Sequence, residues 1–242
     1  MAKFMHPLAA KTAQVAEILE TALGIPQRDQ PLPPLDVLML TLLSQNTNDR
    51  NRDRAYQRLR ERFPIWSEVL QADVRDIAAA IRPAGLSNQK SQRMQAILRW
   101  IEARAGQLTL DWICGRDPQE MMTTFCQLKG IGVKTMAVVL LFACGVDIFP
   151  VDTHVHRLCK RLGLVPPETK SAEKTFALMQ ANVPPGKAFS LHLNLIRHGR
   201  TTCKARQPLC AQCPLTSLCA YYHQFVNHSP SVPSPKLGEG KG

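Results

Sequence analysis

The segment that most constrains the fold is residues 128–157, which joins a glycine-containing turn to an apolar stretch and then to PVDTH. Gly130 and Gly132 stand at alternate positions in LKGIG, where they allow positive backbone torsions and close approach by another backbone. Between residues 133 and 146 the only charged side chain is Lys134. A helix that is apolar on nearly all sides must be buried, so other helices have to surround this one.

The rest of the chain favours an all-α fold. Apolar residues recur at helical spacing along most of its length, and no segment alternates apolar and polar residues as a strand does. Asp117 and Pro118 supply a helix cap followed by a proline at the first helical position. We predict helices at 8–23, 35–43, 50–63, 67–71, 73–81, 89–105, 118–128, 133–146, 153–162, 171–182 and 187–198.

Charge indicates the class of partner. The 242 residues include 30 Lys and Arg against 19 Asp and Glu, a net charge of +11, which favours nucleic acid over an acidic membrane surface. Arg50, Arg54 and Arg58 recur every four residues, either as a solvated face or along a phosphate backbone. No run reaches the roughly 18 apolar residues of a membrane span, and the first residues lack an apolar signal core. We therefore expect a cytoplasmic, monomeric protein, associated with the nucleoid if bacterial.

Lys134 and Asp152 each have a structural and a chemical interpretation. Burial and the positive end of a helix make a protonated lysine costly, which favours a neutral, nucleophilic amine at Lys134. Alternatively, its long side chain reaches water from the helix end. Asp152 follows eighteen positions later, where it can cap the next helix or stabilise a developing positive charge.

Four of the eight cysteines are crowded into one segment near the C-terminus. In a reducing compartment such a cluster indicates a metal site rather than disulfides. Four thiolates can hold zinc or an iron-sulfur cluster. Zinc sites more often contain two Cys-x-x-Cys pairs, so the single pair here favours iron-sulfur without excluding zinc. The cysteines are Cys203, Cys210, Cys213 and Cys219, separated by six, two and five residues.

These motifs together resemble one enzyme family. LKGIGVKT followed by PVDTHVHRL is similar to the helix-hairpin-helix and Gly/Pro-Asp loop of the endonuclease III family of DNA glycosylases. HGRTTCKARQPLCAQCPLTSLC resembles the segment that holds a [4Fe-4S] cluster in that family, and the resemblance spans about residues 8 to 222. It implies a helical barrel domain at 27–146 and a cluster domain made of 1–26 and 147–225, with DNA in the groove between them. Residues 226–242, rich in Pro, Ser and Gly, are predicted to be a disordered tail.

The resemblance also implies a chemistry. Lys134 would attack the sugar C1′ and expel a damaged base, while Asp152 supports the attack and stabilises positive charge at the sugar. The resulting Schiff base would allow β-elimination at the abasic site. Lys129, where the family often has proline, and Val133, where a basic residue is frequent, are departures that bear on DNA affinity.

The remaining family features concern contact with DNA. A flipped base leaves a gap that the enzyme fills, and two loops, 44–49 and 85–88, match those that enter the duplex in the family. Whether Gln45 or Asn46 fills the gap is left open by the sequence. The expected DNA-contact residues are Gln45, Asn46, Leu86, Gly130, Gly132, Lys204 and Arg206.

We therefore predict a bifunctional DNA glycosylase and abasic-site lyase that acts on double-stranded DNA, with oxidised or ring-saturated pyrimidines as the favoured bases. One alternative is a monofunctional glycosylase for mispaired adenine or thymine. The other is a non-catalytic DNA-binding module with a structural metal, in which Lys134 contacts only phosphate.

Overall fold

The computed structural model describes residues 7–226, and this span contains helices but no strands. The predicted all-α fold is confirmed. Of the predicted tail, residues 227–242 lie outside the described part, while Val226 ends a π-helical turn, Tyr222–Val226. None of the helices described is long and apolar enough to cross a membrane.

The chain divides into two compact units. The central unit is Gln27–Pro150, and the terminal unit combines Met1–Pro26 with Val151–Gly242. The sequence placed the second boundary after residue 146. It lies after Pro150 because Ile148 and Phe149, which are 9% and 1% exposed, are buried with the central unit.

Seven α-helices build the central unit. Among these, α2 packs against α8 and α3, and α5 packs against α6. The predicted helix at 133–146 ends earlier, at Phe142, because Gly145 adopts a left-handed conformation (φ 70°) and the Val146 amide turns back to the Leu140 carbonyl. The helices are α2 (Pro34–Ser44), α3 (Asp49–Arg62), α4 (Trp66–Gln71), α5 (Val74–Ala80), α6 (Ser87–Ala105), α7 (Pro118–Phe125) and α8 (Val133–Phe142).

A disulfide that the sequence analysis did not foresee lies in the central unit. It joins Cys114 to Cys144, which are separated by 30 residues. The bridged segment contains α7, the glycine turn and the whole of α8. The disulfide therefore closes a loop of the chain that contains Lys134.

The terminal unit contains four α-helices among its described residues. Here α1 packs against α11, α11 against α9, and α9 against α10. Polar contacts join α1 to α11: the Glu20 carboxylate accepts hydrogen bonds from Lys187 Nζ at 2.7 Å and from Ser190 Oγ at 2.6 Å. The helices are α1 (Pro7–Leu23), α9 (Thr153–Leu162), α10 (Ala172–Gln180) and α11 (Ala188–Thr201).

Candidate functional site

Lys134 lies at the second position of α8, directly after the glycine turn. The sequence predicted a buried lysine, but the side chain is half-buried, and the fully covered part of the helix starts one residue later at Thr135. The helix end leaves room beside the turn, whereas the apolar body of α8 packs against α2. Lys134 is thus held at the amino-terminal end of a buried helix with its side chain reaching the surface.

The two glycines of the turn differ in their requirements. Gly130 has φ 97°, and a Cβ added there would lie 2.9 Å from the Cδ atom of Arg93. Gly132 has φ −108° and open space around it, so the expected positive torsion is found at Gly130 and not at Gly132. Gly132 instead caps α8, whose first amides have no partner within the helix and can bind an anion.

The loop after α2 separates the two candidate gap-filling residues. The Gln45 side chain is half-buried and donates through Nε2 to the Gly130 carbonyl at 2.9 Å. Asn46 is exposed and adopts a left-handed conformation (φ 54°). Gln45 is therefore bonded to the glycine turn, while Asn46 faces solvent.

Leu86 is the corresponding feature of the second loop. It precedes α6, has φ 49°, and is 55% exposed despite being a large apolar side chain. Asn46 and Leu86 are the two non-glycine residues with positive φ in the part of the chain that the structure describes. Such a conformation costs a non-glycine residue on the order of 1–2 kcal/mol, so the surrounding structure must hold both loops.

Sequence reasoning missed Lys90, which lies on α6 and is only 1% exposed. Its ammonium group donates to the carbonyls of Leu43 and Ala84, each at 2.8 Å. Burial, together with a smaller effect from the nearby charge of Arg93, lowers the pKa of Lys90 to about 8. Lys90 occupies the same helical stripe as the buried Met94 and Ile97, so its position on the apolar face could have identified it.

Asp152 caps α9 in the terminal unit. Its Oδ1 accepts from the Val155 amide at 2.8 Å, and the side chain is half-buried. The bond uses one carboxylate oxygen, so Oδ2 is not needed for the cap. The structural interpretation of Asp152 is thereby confirmed, and its geometry leaves a negative charge at the surface of the unit.

The four clustered cysteines line one cavity. Burial raises the pKa of Cys213 to about 11 and also raises the pKa of Cys210 and Cys219, so thiolates in this cavity require a bound cation. Within residues 7–226, no three His, Cys, Asp or Glu side chains converge so that they could hold a metal ion. Four thiols around a cavity, rather than around one point, fit a multi-iron cluster better than a single zinc ion.

Two further side chains contact these cysteines. Arg161 Nη1 lies 3.3 Å from Cys203 Sγ, and His198 Nε2 lies 3.4 Å from Cys213 Sγ. Arg161 also donates to the Lys204 and Ala205 carbonyls, both at 2.8 Å. The sequence analysis missed Arg161, although it follows Arg157 by one helical turn on α9.

The Arg161 contacts fix the backbone of the loop after Cys203. Lys204 and Arg206, which the sequence assigned to DNA contact, are both exposed in this loop. The loop backbone is fixed by hydrogen bonds, and its two cationic side chains are exposed to solvent. Such a loop can bind a phosphate group. The terminal unit thus brings the four cysteines and the two predicted phosphate-binding residues into one region.

Comparison with known proteins identifies the family. The model of the HhH-GPD superfamily of base excision DNA repair proteins matches residues 39–185, and the iron-sulfur binding domain of endonuclease III matches residues 203–219. The first match includes Lys134 and Asp152, and the second begins at Cys203 and ends at Cys219. The expected [4Fe-4S] cofactor is thereby confirmed.

Individual proteins agree with these matches. Endonuclease III of Thermotoga maritima is 31% identical over 82% of this chain and 88% of its own length. A longer Arabidopsis thaliana relative, provisionally named as a DNA glycosylase, is 38% identical over 70% of this chain, a match that spans 58% of that relative. A solved structure of a trapped covalent intermediate of endonuclease III with DNA has a TM-score of 0.74 and 25% identity, covering 88% of this chain and 96% of that chain. The chain therefore belongs to the endonuclease III family of base excision DNA repair glycosylases.

Proposed function

We propose that this protein is a bifunctional glycosylase and abasic-site lyase in which Lys134 forms a Schiff base with the damaged nucleotide. The proposal rests on the position of Lys134, whose half-buried side chain stands at the start of α8, directly after the glycine turn and among the first amides of the helix. A phosphate held by that turn would keep one DNA strand beside the nucleophile. The related structure trapped as a covalent intermediate with DNA supports covalent chemistry in the family.

The reaction assigns one role to each side chain. The neutral amine of Lys134 attacks the sugar C1′, and the damaged base leaves with the electron pair of the glycosidic bond. Ring opening gives a Schiff base, which makes the 2′ proton acidic, and its loss expels the 3′ phosphate by β-elimination. The Asp152 carboxylate stabilises the positive charge at the sugar through the oxygen that the cap does not use.

Asn46 and Leu86 are proposed to enter the duplex where the damaged nucleotide leaves it. Both are exposed, and both stand on left-handed backbone that projects the side chain from its loop. Gln45 is bonded to Gly130, so we assign the gap-filling role to Asn46. The free energy of opening the duplex, a few kcal/mol, would be offset by these contacts and by phosphate binding.

The four cysteines are proposed as the ligands of the [4Fe-4S] cluster, which supplies a cationic centre that keeps the four thiolates in place. The loop that carries Lys204 and Arg206 would bind phosphate from its position beside Cys203. We propose double-stranded DNA as the partner of a monomeric enzyme in the cytoplasm, and oxidised pyrimidines as the favoured bases.

Borohydride trapping on a duplex with one abasic site tests the proposal. The wild-type protein should give a covalent adduct and a strand cut on the 3′ side of the sugar. Lys134→Gln should lose both by roughly 1,000-fold or more, since it removes the nucleophile. Lys170→Gln is the control, because Lys170 is an exposed lysine that lies outside the glycine turn and the cysteine segment. An adduct that survives Lys134→Gln would refute the Schiff base. On a second duplex with one damaged base, base release by the wild type without any adduct would indicate a monofunctional glycosylase.

A further inference from the structure

Lys90 is unusual among the charged residues of this protein. Of the lysine, arginine, aspartate and glutamate side chains in residues 7–226, it is the one that is buried. Its two hydrogen-bond acceptors are main-chain carbonyls, and no carboxylate forms an ion pair with it. A buried amine that bonds only to backbone holds two chain segments at a fixed distance from each other.

The two segments are the entrances to the two loops proposed to open DNA. Leu43, whose carbonyl accepts one bond, lies three residues before Asn46 at the end of α2. Ala84, whose carbonyl accepts the other, ends a 3-10 turn two residues before Leu86. One nitrogen atom therefore joins parts of the chain that are about forty residues apart in sequence.

Both loops need an external constraint. Asn46 and Leu86 have positive φ, which for a non-glycine residue persists only when the surrounding structure enforces it. The bonds from Lys90 act on Leu43 and Ala84, which lie three and two residues before the strained positions. Without them the two buried carbonyls would lose their partners, and each loop could relax toward an ordinary torsion.

The same contacts extend to the glycine turn. Gln45, beside Asn46, donates to the Gly130 carbonyl, and the Arg93 side chain lies against the Cα of Gly130. Arg93 follows Lys90 by three residues, so both lie on one face of α6. Loops 44–48 and 85–88 and the turn are thus fixed to a common helix.

We propose that Lys90 is a positioning residue that locks loops 44–48 and 85–88 in their strained conformations, so that Asn46 and Leu86 are presented together. The use of these loops on DNA rests on the proposed function. The restraint of the two loops by the Lys90 hydrogen bonds, called the lock below, is a property of the free protein. It can be measured without DNA.

Gln95 provides a matched control for substitution of Lys90. It lies on the same helix, is 5% exposed, and donates through Nε2 to the carbonyls of Val69, Leu70 and Ala72 at 3.1, 3.2 and 2.7 Å. Lys90→Met and Gln95→Met each replace a buried donor with an unbranched apolar chain. In Lys90→Met the carbonyls that lose their donor precede the two strained loops, whereas in Gln95→Met they lie at residues 69–72.

Amide hydrogen exchange of the free full-length protein tests the lock. Lys90→Met should raise exchange at least about tenfold at Gln45, Thr47 and Gly85, whose amides each donate to the carbonyl three residues earlier. Gln95→Met should raise it around residues 69–72 instead. If Lys90→Met does not fold, Lys90→Gln, which keeps N–H donors on a shorter chain, should show a smaller rise at the same amides. Unchanged loop exchange, or an equal rise in both Met variants, would overturn the proposal.

A second measurement follows duplex opening by the fluorescence of 2-aminopurine placed opposite an uncleavable abasic analogue. Lys90→Met should slow the fluorescence rise about tenfold while leaving the affinity for undamaged duplex unchanged, and Gln95→Met should leave the rate unchanged. Equal rates in the wild type and Lys90→Met would refute the role of the lock in opening. No rise with the wild type would refute the proposed function of the loops, while the exchange experiment would still decide the lock.

Discussion

The central unit and the terminal unit are both helical, yet different interactions stabilise them. Among the buried residues described, the central unit contains 32 apolar and five polar or charged side chains, whereas the terminal unit contains 16 apolar and seven polar ones. Helix α11 alone buries four polar side chains, which are Ser190, His192, Asn194 and His198. The core of the central unit is therefore almost entirely apolar, whereas polar side chains form close to a third of the buried residues of the terminal unit.

This difference is consistent with the location of the iron-sulfur segment, residues 203–219, in the terminal unit. A unit with a large apolar core gains most of its stability from burial at about 25 cal/mol per Å² and needs no metal. The segment after α11 consists of short 3-10 turns, Cys210–Gln212 and Thr216–Leu218, with little apolar burial apart from Leu215. A cluster held by the four cysteines, as proposed above, would supply the cross-links that this segment lacks.

Loss of a cluster ligand should give the largest effect. We expect Cys213→Ala to abolish the visible absorbance of the cluster and to destabilise the terminal unit by about 4 kcal/mol or more, while the central unit stays folded. Limited proteolysis of each unit and iron content are the measurements. Cys126→Ala is the control, because Cys126 is a half-buried thiol of the central unit. Simultaneous unfolding of both units would contradict the inference that the central unit is stable without the cluster.

Substitutions of Asp152 distinguish its structural role as a helix cap from its proposed role in base excision. Asparagine caps a helix about as well as aspartate, so Asp152→Asn should keep the melting temperature while slowing base excision by roughly 10²–10⁴-fold. Asp152→Ala should slow excision similarly and also cost about 1 kcal/mol of stability. Single-turnover rates and thermal melts of the two variants measure this. Normal excision by the Asn variant would leave Asp152 with its structural role alone.

The sequence was sufficient for features that depend on local pattern. Helical periodicity predicted the α-helices, the residue order predicted the cap at Asp152, and the cysteine spacing together with the family resemblance predicted the cluster. These features depend on neighbours within a few residues, or on motifs of fixed spacing, so a single sequence contains them.

Features that depend on contacts distant in sequence were missed. Lys90 joins Leu43 to Ala84, and Arg161 bonds to the loop after Cys203, and neither pairing has a local signal. Charge patterning assigns lysine and arginine to the surface by default, and this default failed for Lys90. The Cys114–Cys144 disulfide was missed because two isolated cysteines show no spacing motif.

Removing that disulfide tests whether the central unit depends on its core alone. Linking residues separated by 30 positions restricts the unfolded chain by about 3.7 kcal/mol in the chain-entropy model, and this stabilisation should be lost in a Cys114→Ser, Cys144→Ser double variant. Urea melts with and without a thiol reductant measure it. Reductant should destabilise the wild type but not the double variant. Equal stability of both proteins would mean that the apolar core is sufficient.

The smallest expected effect concerns the polar contact between α1 and α11. Burial alone would raise the pKa of Glu20, but hydrogen bonds from Lys187 and Ser190 and the charge of Lys187 outweigh it, so the pKa lies below its ordinary value of 4.5. A carboxylate whose pKa is lowered by folding stabilises the protein at pH values above the pKa of the unfolded state. This contribution to the free energy of unfolding is lost as the pH falls through the pKa of the folded state.

Glu20→Gln should therefore lower the stability of the terminal unit by about 1 kcal/mol at neutral pH, since one ionic hydrogen-bond acceptor becomes a neutral amide. The difference from the wild type should shrink as the pH falls from about 5 to 3, because the wild-type carboxyl then becomes protonated. Thermal melts across this range, with the exposed Glu17→Gln of the same helix as control, provide the measurement. A difference that does not change with pH would show that the Glu20 contact stabilises α1 by packing rather than by charge, and the terminal unit would then resemble the central unit more closely.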